Sequence, residues 1–74
     1  MREIVVHGVY RHFKGGRYRV EGVARHSETG EGYVVYRSLE GEGQLWVRPL
    51  DMFLSGVDRR IYPGAGQVYR FEEE

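Results

Sequence analysis

Residues 17–39, RYRVEGVARHSETGEGYVVYRSL, constrain this chain more than any other stretch. Two runs rich in β-branched and aromatic residues flank a short polar turn, Ser27-Glu28-Thr29-Gly30-Glu31. Polar residues open such a turn, and Gly30 can take the positive φ that closes a type I turn with a bulge. The stretch predicts a β-hairpin. The rest of a 74-residue chain must pair with that hairpin or pack on it. A domain of this size buries only about 60 % of the surface its unfolded chain exposes, so the core is small. There is no cysteine, which excludes disulfides and Cys-based zinc sites.

Around the hairpin the pattern is short strands and turns. Residues 1–8 form an N-terminal strand or arm. Val9–Phe13 alternates and predicts the first core strand, followed by a Lys14-Gly15-Gly16 turn. The second strand spans Tyr18–His26. Tyr18 and Val20 share one face while Val23 falls on the other, and a β-bulge at Glu21-Gly22 corrects the phase and bends the strand. The third strand is Tyr33–Leu39, with Val34 and Tyr36 on one face and Tyr33, Val35 and Leu39 on the other. Both faces carry apolar bulk, which leaves one of them to meet a neighbour or a ligand. Leu45–Arg48 is the fourth strand, with Leu45 and Val47 opposite Trp46 and Arg48. Pro49 ends it and leads a short helix, Leu50–Leu54, which Gly56 stops. Residues 55–67 hold Pro63, Gly64 and Gly66 and are expected to be irregular. Residues 68–71 are expected to be the closing strand and 72–74 a frayed acidic tail.

These elements predict one mainly β domain over residues 1–74. The expected fold is a small antiparallel SH3-like β-barrel of about five strands with one short helix, its core in residues 9–54, since curling is the economical way to remove open edges. The competing arrangement is an open α+β roll with a longer helix around residues 50–60.

Eleven basic residues balance eleven acidic ones. Three acids are Glu72-Glu73-Glu74, which leaves eleven against eight, a net of +3, over residues 1–71. That excess is too mild for a duplex-DNA binder. No apolar run approaches the roughly 18 residues of a membrane span, and the N-terminal apolar patch is too short for a secretory signal. A soluble cytoplasmic protein is expected.

The chemistry-bearing residues fall into three groups. His12, His26 and Glu28 are the acid–base or metal candidates, but no closely spaced His pair or H-E-x-x-H pattern is present, so no metal or cofactor is expected. Arg25-His26-Ser27-Glu28 resembles a catalytic cluster in composition only. Neighbouring strand residues point to opposite faces, so His26 and Ser27 do not meet, and no catalytic residue is assigned. Trp46 and Arg48 share a face of the fourth strand, with Tyr36 beside them if the third and fourth strands pair. Aromatic rings with an Arg can sandwich a planar group and grip its phosphate or carboxylate. Tyr10-Arg11-His12-Phe13 interleaves aromatic and basic residues in the manner of barrels that hold single strands.

YRHFKGGRY (10–18), ARHSETGE (24–31), VVYRSL (34–39), LWVRPLDMF (45–53) and VDRRIYPGAGQVYRF (57–71) together resemble a family of short, mostly bacterial proteins catalogued only as a domain of unknown function. Members often carry Pro-Gly where this chain has His7-Gly8. The resemblance implies a complete single-domain protein and no particular activity. It stresses the positions of His12, Arg25–Gly30, Tyr36, Trp46, Arg48 and Pro49, which implies a site shared by the HSETGE turn and the fourth strand. The combined expectation is a non-catalytic binding module for a nucleotide or short single-stranded nucleic acid. Trp46 and Tyr36 would stack, Arg48 and Arg25 would hold phosphate, and His26, Glu28 and His12 would offer polar contacts. The alternatives are a protein–protein interaction module and a small enzyme using His12, His26 and Glu28.

Overall fold

The structure, a computed structural model, describes residues 2–74. Five antiparallel strands and one short helix make up the domain: β1 (Val9–His12), β2 (Arg17–Arg25), β3 (Gly32–Ser38), β4 (Leu45–Pro49), α1 (Leu50–Phe53) and β5 (Phe71–Glu73). They form one sheet in the order β4-β3-β2-β1-β5. The fold is mostly β, and residues 50–60 hold a single turn of helix rather than the longer helix of a roll.

The bulge falls where the broken alternation predicts it. Val20 pairs with Tyr36 and Gly22 with Val35, so Glu21 is the extra residue. Beyond it Val23 lies opposite Val34, back on the face that carries Val20. The bulge bends β2, and the sheet curls around its concave face. In a flat sheet β3 and β5 would be three strand spacings apart, about 14 Å. Across the curl, the Tyr36 and Phe71 rings lie 5.5 Å apart. The edges β4 and β5 share no ladder, but side chains bridge between them: the Arg48 guanidinium sits 5.5 Å from the Phe71 ring.

The core is this concave face. Tyr10, Val20, Val34, Tyr36, Phe53 and Phe71 are buried, and Phe53 of α1 stacks on Phe71 with ring centroids 4.1 Å apart. Pro49 is not the first helical residue but the extended end of β4, at ψ 140°, and α1 starts after it and drops Phe53 into the mouth of the curl. The helix ends at Phe53, where Ser55 bonds back to the Met52 carbonyl. Gly56 is not its stop signal. It bridges to Tyr69 instead.

Two expectations for the C-terminus are corrected. The closing strand is Phe71–Glu73, not residues 68–71, and the glutamates are not frayed. Arg11 lies opposite Glu72 on β1, and Glu74 accepts two bonds from the Arg17 guanidinium at 2.7 and 2.9 Å. A Glu72 carboxylate oxygen accepts the Val68 and Tyr69 amides at 2.9 and 3.0 Å. The acids are ordered because β1 needs an outer partner, and Arg11 of β1 and Arg17 of β2 supply complementary charge. The N-terminal segment is an arm. Arg2 donates to the carbonyls of Leu54 and Phe71 and lies 4.0 Å over the Tyr69 ring, and the Val5 amide satisfies the buried Tyr10 hydroxyl.

Candidate functional site

Alternation along β4 decides which groups face the concave side. Trp46 pairs with Tyr36 and Arg48 with Val34, so both even-numbered side chains share the face of the core. They reach past it at the sheet edge, where a pocket of about 240 Å³ is lined by His12, Tyr18, Tyr36, Trp46, Arg48 and Phe71. Trp46 is 51 % exposed, so the only tryptophan is a wall of this pocket and not part of the core.

Arg48 is held in place. Its Nε donates to the hydroxyl of buried Tyr36 at 3.2 Å, and its two terminal nitrogens make no hydrogen bond among the described residues. The Tyr36 hydroxyl, having accepted this bond, keeps its own proton for another acceptor. Tyr18 packs edge-on against both Tyr36 and Phe71, at 5.4 and 5.8 Å, and fixes the opposite wall.

His12 closes the pocket from the end of β1. Its Nδ1 accepts the Lys14 amide at 3.1 Å, which ties the imidazole to the turn that follows. Its ring packs 4.8 Å from Phe71. Burial, and then the cations of Arg48, Arg70 and Lys14, pull its pKa down to about 4. The imidazole is therefore neutral at pH 7. With Nδ1 acting as an acceptor, the proton sits on Nε2, the nitrogen left for other contacts. No carboxylate lines the pocket. Its polar groups are all able to donate: a guanidinium, an imidazole N–H, two phenols and an indole N–H.

The remaining expected site residues lie elsewhere. Arg25 and His26 stand at the far end of β2, with Glu28 in the turn beyond. At about 3.3 Å per residue the nine-residue β2 places them roughly 25 Å from the His12 end. His12, His26 and Glu28 thus do not converge, and no group of three His, Asp or Glu among the described residues is arranged to hold a metal. His26 serves the turn: its Nδ1 accepts the amides of Glu28 and Thr29 at 3.1 and 3.3 Å. Arg25 donates to the Gly30 carbonyl at 3.3 Å. The loop is closed by Gly30 N–H to His26 O, with Gly30 at φ 76°. Of the HSETGE turn, His26 alone borders a surface shared with β4, and the β4 residue there is Val47. Arg25, His26, Ala24, Tyr33, Val35 and Val47 border a shallow apolar depression on the convex face. The constellation read as one site is therefore divided between two faces of the sheet.

Tyr18 and Phe71 are pocket residues that the sequence reading left out. Tyr18 was legible, since it shares a face with Val20. Phe71 was not, because its partner strand depends on where the acidic tail docks.

The family model described as "Protein of unknown function (DUF1653)" matches residues 8–73. Among solved structures, a protein of the same family from Bordetella bronchiseptica is 39 % identical, with a TM-score of 0.72 over 90 % of this chain and 83 % of that one. No curated protein matches the chain.

Proposed function

We propose, for a chain that belongs to the DUF1653 family of proteins of unknown function, that the concave pocket binds the planar, anionic moiety of a nucleotide or of a short single-stranded nucleic acid. The observation that carries this reading is Arg48. It is pinned through Nε to Tyr36, beside the half-exposed ring of Trp46, and its terminal nitrogens make no hydrogen bond among the described residues. A guanidinium in that position offers a planar fork to phosphate while the indole offers a face to a base. A neutral His12 adds an N–H donor without adding a further charge. A cationic guest is disfavoured, because the aromatic walls contain an arginine and no carboxylate. The balance of eleven basic and eleven acidic residues favours few phosphate contacts, hence a short ligand.

Amide NMR titration with mononucleotides and short single-stranded oligonucleotides, at low and moderate salt, tests the reading. Shifts are expected at His12, Tyr18, Tyr36, the Trp46 indole and Arg48, and they should weaken with salt. Trp46→Ala should lower affinity about 10- to 100-fold, the range for losing one base–aromatic stack, in a domain that stays folded. A flat spectrum at both salts, or shifts confined to residues 24–31, would remove the pocket as the site for these ligands.

A further inference from the structure

The geometry points to a second surface, which adjoins the pocket at Trp46 and Arg48: the outer edge of β4 pairs with β4 of a second copy of this chain. The two edges of the sheet are treated very differently. β5 is three residues long and carries Glu72 and Glu73. Short, charged edges resist further pairing. β4 instead exposes three consecutive apolar residues: Leu45 at 44 %, Trp46 at 51 % and Val47 at 63 %.

The backbone phase of this edge follows from one bond. Ser38 N–H donates to Gln44 O at 2.9 Å, which makes Ser38 and Gln44 a hydrogen-bonded pair of the β3–β4 ladder. Such pairs recur at every second position. In the observed register they are Tyr36 with Trp46 and Val34 with Arg48. The N–H and C=O groups of Leu45 and Val47 therefore point away from β3. Pro49 occupies the next outward position, where its missing N–H costs the ladder nothing.

One antiparallel register satisfies this edge with itself. With a two-fold axis at Trp46, Leu45 of each copy faces Val47 of the other. Four backbone hydrogen bonds then form between the outward groups. Trp46 lies across from Trp46 in the non-hydrogen-bonded position, where side chains approach most closely. Leu45 and Val47 make apolar cross-strand pairs on the convex face. Arg48 falls opposite Gln44, with the acidic Glu40-Gly41-Glu42-Gly43 turn following Gln44 outward. Shifting the axis to Val47 leaves each Leu45 carbonyl without a backbone donor, because the residue opposite becomes Pro49, which has no N–H. Shifting it to Arg48 sets the two arginines against each other. Only Leu45–Val47 of the five-residue strand pairs in this register, so the dimer is concentration-dependent, and it makes one continuous ten-stranded sheet from two five-stranded ones. The two concave pockets then flank the axis.

Hydrogen exchange and sedimentation over a concentration series read the pairing directly on the unmodified chain. The amides of Leu45 and Val47 should gain protection as concentration rises, in step with a monomer–dimer equilibrium. Val47→Pro removes an outward donor and no β3 ladder bond, so it should give a folded monomer. Gln44→Glu and Gln44→Arg should tighten and weaken the dimer by about 2- to 30-fold in opposite directions, through two charge pairs per dimer with Arg48. The Gln44 pair decides the matter alone if Val47→Pro does not fold. Any of three results overturns the proposal: a monomer with freely exchanging Leu45 and Val47 amides at NMR concentrations, an undiminished dimer in folded Val47→Pro, or equal effects of the two Gln44 substitutions.

Discussion

Two turns of this molecule begin with a histidine that does the same local job in different surroundings. After β1, His12 accepts the Lys14 amide through Nδ1; after β2, His26 accepts the Glu28 and Thr29 amides through the same atom. His12 packs against Phe13 and Phe71, each 4.8 Å away, and borders the pocket. His26 is exposed, 6.3 Å from the nearest aromatic ring, Tyr33. The imidazole is a turn cap in both places. Only the curl of the sheet makes one of them part of the concave pocket as well.

The comparison can be broken most forcefully through the ring that only one turn possesses. Phe71→Ala should cost about 3–5 kcal/mol, since it removes a fully buried ring that stacks on Phe53 and backs His12. Against a total of about 5–15 kcal/mol, urea unfolding should show a large loss of midpoint. A loss below about 1 kcal/mol would mean that the aromatic face is not the core.

Next is the pair of histidine substitutions. His12→Ala should cost about 1–2 kcal/mol, combining a lost cap with lost ring packing, and His26→Ala about 0.5–1 kcal/mol, the value of an exposed hydrogen bond. Asn offers an acceptor oxygen to the turn amides, so His26→Asn should recover most of its loss and His12→Asn only part. Equal recovery at both sites would show that the two turns are equivalent after all.

His12 can also be tested through pH. His12 has a folded pKa near 4 against an ordinary value of 6.5. The unfolded chain therefore takes up this proton first as pH falls. Its contribution to stability is complete above pH 6.5, declines between 6.5 and 4, and is lost below. The His12 imidazole resonances should titrate with a midpoint near 4, and His12→Asn should flatten the acid-side decline in unfolding midpoint over that window. A His12 midpoint near 6.5 would contradict the buried, cation-ringed placement.

The finest difference between the two turns lies in their glycines. Gly30 has φ 76° with open space around the position of a Cβ, so Gly30→Ala should cost about 1 kcal/mol of backbone strain and leave the pocket untouched. Gly16, at φ 91°, would place a Cβ 3.2 Å from the Tyr18 ring. Gly16→Ala should therefore add a shift of the Tyr18 resonances, which Gly30→Ala lacks.

Several features were legible because they are written in local chemistry. The bulge at Glu21 shows as a broken alternation. The hairpin turn shows in Ser27–Gly30. The shared face of Trp46 and Arg48 follows from a period of two, and their meeting with Tyr36 follows from a short connection between adjacent strands. The acidic tail was misread because three glutamates look like a solvated end until Arg11 and Arg17 are known to stand across from them. Arg25, His26 and Glu28 were grouped with Trp46 because chain neighbours and family positions carry no information about which face of a curled sheet they occupy.

Periodicity, turn residues and β-propensity are short-range, and they suffice for four of the five strands, one turn of helix and the alternation of faces along each strand. Two things needed the folded chain. One is the docking of β5 against β1, a contact between residues about sixty positions apart that no local pattern encodes. The other is the curl that carries His12 and Phe71 from one edge of the sheet to Arg48 and Trp46 at the other. Curvature is a collective property of the bulge, the strand twist and the packing of Phe53. For that reason the pocket exists only in three dimensions.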